Sequence, residues 1–442
     1  MTHAESVARA VAARLRAAGY TAYLAGGCVR DRLLGHEPDD FDVATDAPAS
    51  TVQQLFTRTV AVGAQFGVIL VVQEEVAVEV ATFRADAVYL DGRHPSHVRF
   101  SSPQEDAQRR DFTINGMFLD PVTDRVIDYV GGQADLRAGV VRAIGDARAR
   151  LSEDRLRMLR AVRFAARFGF TIEPATFAAI GELAGTITDI AWERIGDEIV
   201  RILTDTAAGS ARRGFELLDA SGLLTAVLPE VAALKGVEQS PDYHPEGDVF
   251  VHTLGLLAQL DHHTETVALG ALLHDIAKPQ CAQRTPARIT FYGHCEHGAE
   301  VAVAICQRLR RSRETWERVD YLVRNHLRPL QAPDMRLSTL KRFLAEDGID
   351  ELLELARLDA LASNQDLTYV EFCQRKREEF GATVLRPAPL VGGRDLIELG
   401  LRPGPRFKEI LNAVVDAQLE GSLTTRDDAL AWVRRTFVKR ET

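Results

Sequence analysis

The stretch Leu24-Ala-Gly-Gly-Cys-Val-Arg-Asp-Arg-Leu-Leu-Gly35, followed by Pro38-Asp-Asp-Phe-Asp-Val-Ala-Thr45, constrains this chain more than any other. A short apolar run ends in Gly26 and Gly27, where the backbone can turn with positive φ and a bulky group can approach it. The segment after the glycines reads as a helix start with Arg30 one turn in, and exposed N–H groups beside a guanidinium suit phosphate oxygens. Asp40-Phe-Asp42-Val then alternates acid and apolar in strand period, so both carboxylates project from one face, about 6–7 Å apart along the backbone. Two acids that close repel unless a cation lies between them. A hard ion such as Mg²⁺, carrying a nucleotide's phosphates, suits the pair. Asp-x-Asp alone occurs in many solvated loops; the Gly-Gly ahead of it at this spacing gives it weight.

At 442 residues the chain has room for three domains, at roughly 150 residues each. Its formal charge of -10 excludes a polycation that binds nucleic acid through bulk electrostatics. RNA contact is therefore expected from a local basic stretch, and Arg148 to Arg167, with seven arginines, is the candidate. Five scattered cysteines (28, 281, 295, 306, 373) with no Cys-x-x-Cys pair point to reduced thiols and a cytoplasmic protein. Val7, Val11 and Leu15 form a helical stripe leading into the first strand, so the N-terminus reads as a structural helix and not as a transit peptide. No apolar run approaches the ~18 residues that a membrane span needs.

Gly67–Gln73 and Val76–Thr82 read as two strands around Glu74-Glu75, a hairpin. In the second, Glu79 faces away from Val76, Val78 and Val80. It is either a third acid beside the Asp pair or a charge on a solvated sheet face. Thr82 to Val98 is polar and turn-rich, a mobile loop by composition. Arg109-Arg110-Asp111 with Asn115 comes next, then the turn Asp128-Tyr-Val-Gly-Gly-Gln-Ala-Asp-Leu136. From about 150 to 240 the pattern is helical. Ser152 is a candidate N-cap, and Asp154, Arg157 and Arg160 step by three along one face, continued by Arg163 and Arg167. Such a row is either an ion-pair ladder or a base reader. A carboxylate only accepts and a guanidinium only donates, so an Asp/Arg pair fits the donor-beside-acceptor edge of cytosine and adenine. Uracil and guanine mismatch it, at a cost of roughly 1–3 kcal/mol per bidentate contact.

A different constellation occupies about 240 to 370: His252, the adjacent His274-Asp275, His294, His326 and Asp359. An acid on an apolar helix needs a partner, and metal ligation satisfies both His274 and Asp275. Imidazole with carboxylate suits Mn²⁺, Ni²⁺, Fe²⁺ or Mg²⁺. The last segment has a Gly/Pro loop with Arg402, Arg406 and Lys408, which is either an RNA-backbone contact or a plain helix connection.

Gly26-Gly27, Arg30-Asp31 and Asp40-Phe-Asp42, the Arg109–Asn115 segment, Glu153-Asp154-Arg-Leu-Arg157 and Trp192-Glu-Arg194-Ile-Gly-Asp-Glu198 together resemble the bacterial CCA-adding enzymes (tRNA nucleotidyltransferases) and their poly(A) polymerase relatives. The histidine and aspartate set resembles an HD-domain phosphohydrolase. The resemblance implies an α+β fold: a small mixed or antiparallel sheet head (1–145), an all-α neck (146–240), a helical HD domain (241–375) and a helical tRNA-binding tail (376–442). It implies Mg²⁺ on Asp40 and Asp42, with Glu79 as a third acid. Gly26, Gly27, Arg30 and Arg110 would contact nucleotide phosphate or sugar, Asp111 and Asn115 the ribose or the site's support, and Asp154 and Arg157 the base, helped by Arg160 and Arg163. His252, His274, Asp275 and Asp359, with His294 and His326, would hold metal. The implied activity is template-independent addition of CCA to tRNA from CTP and ATP, with an HD-type 2′,3′-cyclic phosphodiesterase or phosphatase activity beside it. The loop after Thr82 resembles the flexible element that CC-only enzymes lack. Gly63-Ala-Gln-Phe-Gly67 lacks the paired basic residues that mark bacterial poly(A) polymerases. An A-only enzyme remains a live alternative, and one of a different class is a chain whose main activity is the HD hydrolase.

Overall fold

The structure, a computed structural model, describes residues 1–442 except 39, 64–66, 87–97, 241–244, 246, 286–288 and 439–442. The chain divides into two compact units. The first is Met1–Ala232 with Leu260–His262 and Arg308–Arg311; the second comprises Ala233–Gln259, His263–Gln307 and Ser312–Thr442.

In the first unit, helix α1 (His3–Ala17) starts on Thr2, whose hydroxyl accepts from Glu5 N–H, and buries Val7, Val11 and Leu15. A seven-stranded mixed sheet comes next, built on β1 (Ala22–Ala25), β2 (Asp42–Thr45), β3 (Thr59–Gly63), β4 (Val68–Gln73) and β5 (Val76–Thr82). Its order is β3-β4-β5-β2-β1, then Met117–Leu119 and Val126–Asp128. The β4/β5 hairpin turns at Glu74 and Glu75, both in positive φ. β2 and β5 pair in parallel, Val43 beside Val80, while β1 runs antiparallel to β2 with Ala25 opposite Asp42. Side chains alternate across a sheet, so one face carries Val43, Val78 and Val80, all buried. The other carries Ala25, Asp42, Ala44, Glu79 and Ala81, where small alanines leave space around two acids.

Two expectations on the 82–98 and 63–67 segments fall largely on residues 87–97 and 64–66, which lie outside the described residues; the described part is the short ribbon of Arg84–Asp86 with Val98–Phe100. The Asp128 carboxylate accepts from the N–H groups of Val130, Gly131, Gly132 and Gln133, fixing the turn into the helix Gly132–Ala138.

Beyond the sheet the unit is helical, with one departure from the sequence pattern. In place of one helix capped by Ser152 there are two, Ala147–Glu153 and Leu156–Phe168. The first is capped by Asp146, whose carboxylate accepts from Ala149 N–H. The break falls at Asp154, which is extended (φ -141°, ψ 105°) and accepts from Leu156 N–H. A short acid that bonds the backbone two residues on competes with helix continuation; apolar periodicity alone is blind to that.

In the second unit, the helices Val249–Leu257, Glu265–Leu273, His294–Arg308, Arg313–Asn325 and Ile349–Ala362 form a bundle around Leu256, Leu269, Leu272, Leu322 and Leu355, all buried. Gly270 lets two neighbours close in: a Cβ there would stand 3.1 Å from Leu322 Cδ1. The helix Thr368–Leu385 kinks at Gly381 and runs across the boundary anticipated at 375. After it, Gly393–Glu398, Pro405–Leu419 and Arg426–Phe437 pack around Leu396, Ile410, Val414 and Val433. Arg342 and Lys341 tie them to the helix Leu337–Leu344 through Asp416 and the Leu419 carbonyl.

Candidate active site and metal centre

The cleft face of the sheet, the glycine turn and the helix Leu156–Phe168 enclose one cavity of about 510 Å³. Gly26, Gly27, Arg30, Asp42, Glu79, Arg110, Asp111, Asn115, Asp154, Arg157, Arg160 and Arg163 all line it. Of the residues anticipated for this site, Asp40 alone is outside the lining, exposed two residues ahead of β2. Gly26 caps helix α2 (Gly27–Leu33) with φ 73°, a conformation that favours glycine.

The acids crowd. Burial, then the charge of Glu79 and more weakly that of Asp40, raises the Asp42 carboxyl to about 6. Two carboxylates on one polar cleft wall, with the charge of a third acting on one of them, are a donor set suited to a divalent cation. Glu79 is exposed on its sheet face, but it lines the same cavity as Asp42 and its charge acts on that carboxyl.

The cationic side chains are held, each by a named partner. Arg30 is buried, forked onto both Asp31 oxygens (2.8 and 2.9 Å), and donates to Asn115 Oδ1 at 2.7 Å. Its guanidinium also lies 5.0 Å from the Phe164 ring centre and 4.8 Å from that of Phe168. Arg110 is gripped by buried Asp106 at 3.1 Å and crosses the Gly26 turn, where a Cβ would meet its Nη1 at 3.1 Å. Arg160 forks onto Asp111 (2.9 and 2.8 Å) and Arg163 reaches Glu198 at 2.7 Å. The stretch Arg148–Arg167 is thus not the free basic patch its composition suggests. Its other arginines also face acids: Arg148 Glu182, Arg150 and Arg157 Glu153, Arg155 Asp189, and Arg167 Asp205.

Asp154 and Arg157 do not pair with each other. Asp154 receives a two-pronged contact from Arg194 (3.2 and 2.8 Å), and Arg157 donates to Glu153 at 2.6 Å and to the Arg150 carbonyl at 2.8 Å. Arg194 and Glu198 are residues that a sequence motif contained without a role being legible, and Asp106 lies outside those motifs. An acid or arginine at helical spacing does not reveal which distant residue it meets.

Burial alone would raise the Asp111 carboxyl, but the Arg160 charge and the Asn115 amide hold it down at about 2. With an ordinary value near 3.9, its contribution to stability is fully present above about pH 4 and is lost as pH falls through about 2. The Tm difference between the native chain and Asp111→Asn is therefore expected to be constant near neutrality and to close on acidification across that window. A difference that stays constant down to the acid limit excludes this account.

In the second unit the other anticipated set also meets at one point. His252 Nε2 lies 3.3 Å from His274 Nε2 and 3.0 Å from Asp359 Oδ1, and Asp275 Oδ2 lies 3.1 Å from His274 Nε2. His294 and His326 stand on the opposite oxygen, Asp275 Oδ1, at 3.5 and 3.8 Å. Helix ends do the positioning: His274 and His326 are C-caps and His294 opens its helix. Nδ1 of His274, His294 and His326 each donate to a backbone carbonyl three residues back. That fixes the tautomer and leaves Nε2 as an acceptor aimed inward, the arrangement of metal-binding imidazoles. Burial, with the neighbouring His274, pushes His326 down to about 4, so it is neutral at physiological pH. Lys278 was not anticipated; one turn after Asp275, it donates to Asp275 Oδ2 at 2.7 Å and to Gln239 at 2.6 Å. Against a burial that would raise it, His274 and Lys278 hold the Asp275 carboxyl well below the usual range. These donors fit divalent metal.

The sheet with its acid cluster, the glycine turn and the helical neck lining the same cleft define a nucleotidyltransferase, here followed by an HD-type bundle. Residues 22–142 match the family described as "Poly A polymerase head domain", 169–235 "Probable RNA and SrmB- binding site of polymerase A" and 249–364 "HD domain". The CCA-adding enzyme of Levilactobacillus brevis is 32% identical over 430 residues, 96% of each chain. The A-adding tRNA nucleotidyltransferase of Deinococcus radiodurans is 33% identical, over 94% of this chain and 95% of that one. The structure of the Bacillus stearothermophilus CCA-adding enzyme in complex with CTP superposes with a TM-score of 0.71 over 98% of both chains at 24% identity. The chain belongs to the tRNA nucleotidyltransferase family that contains the CCA-adding enzymes. Among the described residues, no helix is long and apolar enough to cross a membrane.

Proposed function

We propose that this chain rebuilds the 3′ end of tRNA in the cytoplasm, adding CCA from CTP and ATP without a nucleic-acid template and releasing pyrophosphate. One observation carries the reading: the acids at Asp42 and Glu79 and the base-reading candidates Asp154 and Arg157 line the same cavity. Asp40 and Asp42, with Glu79, would hold Mg²⁺. The chemistry an ion supplies there is neutralisation of triphosphate charge and a lower pKa for the attacking 3′-hydroxyl.

The chain's own side chains do the rest. Gly26 and Gly27 let the triphosphate approach the backbone, and Arg110, anchored by Asp106, presents charge beside it. Asp111 and Asn115 brace the ribose side and Arg30. Asp154 keeps acceptor capacity beyond its bonds to Arg194 and Leu156, since a carboxylate has about four lone-pair sites; it can take the exocyclic amine of cytosine or adenine while Arg157 donates to the ring nitrogen. Because Arg194 and Glu153 already hold these two groups, neither is an uncompensated charge before the base arrives. Arg160 and Arg163 set the helix against the head and the neck.

On this reading the head is 1–145, the neck 146–240, the HD domain 241–375 and the tail 376–442, with Arg402, Arg406 and Lys408 on the RNA backbone. The HD set would hold Ni²⁺, Mn²⁺ or Fe²⁺ and act on cyclic phosphate or phosphomonoester at damaged ends; a water acidified by the metal is the nucleophile such an ion supplies.

The relative from Deinococcus radiodurans favours a second reading, addition of the terminal A alone. Purified chain incubated with tRNA lacking its last three, two or one nucleotides, plus CTP and ATP, separates the two. Extension of all three substrates is expected; extension of the last only would leave the A-adding reading standing.

A further inference from the structure

A buried donor beside the HD centre is left without an acceptor. Gln239 is 6% exposed, and its side-chain oxygen accepts from Lys278 Nζ at 2.6 Å. A lysine ammonium can only donate, so the carboxamide cannot be turned round: its oxygen must face Lys278 and its NH₂ group must face away. Among the described residues that NH₂ group has no hydrogen-bond partner. A buried donor with no acceptor is costly, and where one persists it calls for a ligand, an anion or a water. The centre itself sets its place. Lys278 Nζ also donates to Asp275 Oδ2 at 2.7 Å, the oxygen that lies 3.1 Å from His274 Nε2, and the Phe291 ring centre stands 5.3 Å from the same ammonium. The backbone ahead of Gln239 is laced to the helix that carries His252. Its N-cap, Asp248, accepts from Gly236 N–H at 2.6 Å and from Val251 N–H at 2.8 Å, and Val249 N–H donates to the Val237 carbonyl at 3.1 Å. The oxygen and nitrogen of a carboxamide are ~2.2 Å apart, so the NH₂ nitrogen stands within about 5 Å of Lys278 Nζ and about 8 Å of Asp275 Oδ2. An ion ~2.1 Å from that carboxylate, a phosphate oxygen ~2.1 Å beyond it and a hydrogen bond of ~2.9 Å from the same phosphate cover about that reach.

We propose that the Gln239 NH₂ group is a substrate-binding donor of the HD centre: it takes a non-bridging oxygen of the phosphoester, with Lys278 fixing its direction. The inference rests on the reading of the HD set as a metal-dependent phosphoesterase site and adds a residue that recognises the ester. Lys278 has committed two of its three N–H groups, to Asp275 and to Gln239. The carboxamide restores donor capacity at the site, and it does so as a neutral group that adds no charge beside the metal ligands.

The test uses the full-length chain loaded with Ni²⁺, with bound metal counted. Gln239→Glu keeps an acceptor facing Lys278 and puts an oxygen where the NH₂ group was. It should keep the metal stoichiometry and the unfolding midpoint, and weaken binding of inorganic phosphate, read by calorimetry, by at least about tenfold, the size of a hydrogen bond to a charged group. The head cannot account for such a difference, because Gln239 lies in the other compact unit. The kcat/KM values for adenosine 2′,3′-cyclic phosphate and adenosine 2′-monophosphate should fall by a similar factor, and a fall for one of the two alone assigns the donor to that ester. Gln239→Leu, of similar size and without polar atoms, should show the same losses and carries the test if Gln239→Glu fails to fold. Phosphate affinity and turnover within about twofold of native in a folded, metal-loaded variant would overturn the amide donor and leave the metal reading of the bundle intact. A metal-loaded native chain that neither binds phosphate nor hydrolyses either ester would overturn both.

Discussion

Replacing Asp40 and Asp42 together with alanine is expected to reduce incorporation of CMP and AMP into truncated tRNA by at least about a thousandfold. That factor corresponds to about 4 kcal/mol of transition-state stabilisation, the scale of several kilocalories that a metal clamp on a transferring phosphoryl group contributes. Asp42 sits in the cleft wall beside Glu79, and its carboxyl is already raised to about 6 by burial and like charge. On the proposed reading, removing it would take away the metal donor nearest the sheet. Metal-dependent phosphatase turnover, if measured on the same preparation, should be unaffected, because the HD donors all lie in the other compact unit. Primer extension within tenfold of the native rate would remove the acid cluster from the chemistry.

Much of this cleft was legible in the sequence. Strand period placed Asp42, glycine pairing placed the turn, and hairpin alternation put Glu79 on the face opposite the buried valines; all three are local properties of the chain. Pairing at a distance was not legible. Asp154 breaks the helix expected to run on from a Ser152 cap, because its own carboxylate bonds the backbone at Leu156. It then meets Arg194, forty positions away, a partner that no spacing rule specifies. The arginine stretch shows the same limit: its composition suggests a surface for RNA, whereas Glu153 within it and acids elsewhere in the unit pair with its guanidiniums. In the bundle, the adjacent His274-Asp275 stands out because an apolar helix seldom tolerates an unpaired acid, whereas the full ligand set is legible only through the resemblance to HD-domain phosphohydrolases. Lys278 gave no such signal, since a lysine one turn from an acid is ordinary on a helix surface.

Glu198→Ala is expected to destabilise the first unit by about 3–5 kcal/mol, the cost of leaving one half of a buried ion pair without its partner. Glu198 is 2% exposed and receives Arg163 at 2.7 Å; burial pushes the Arg163 guanidinium below its ordinary value even with that acid present. At about 2–4 °C per kcal/mol for a unit of this size, the calorimetric midpoint should drop by roughly 10 °C. Arg163→Met combined with Glu198→Leu should recover most of the loss, because apolar replacement of both partners removes the stranded charge. A single variant that melts within about 2 °C of the native chain would mean that water reaches Arg163 and the pair is no structural tie.

The neutralised arginines of the neck bear on how the molecule finds and leaves its substrate. A chain of net charge -10 whose guanidiniums between Arg148 and Arg167 are matched by acids offers little basic surface there to polyanions at large. On the proposed function, holding RNA would then depend more on the fit of one terminus into the cavity than on a long electrostatic tether.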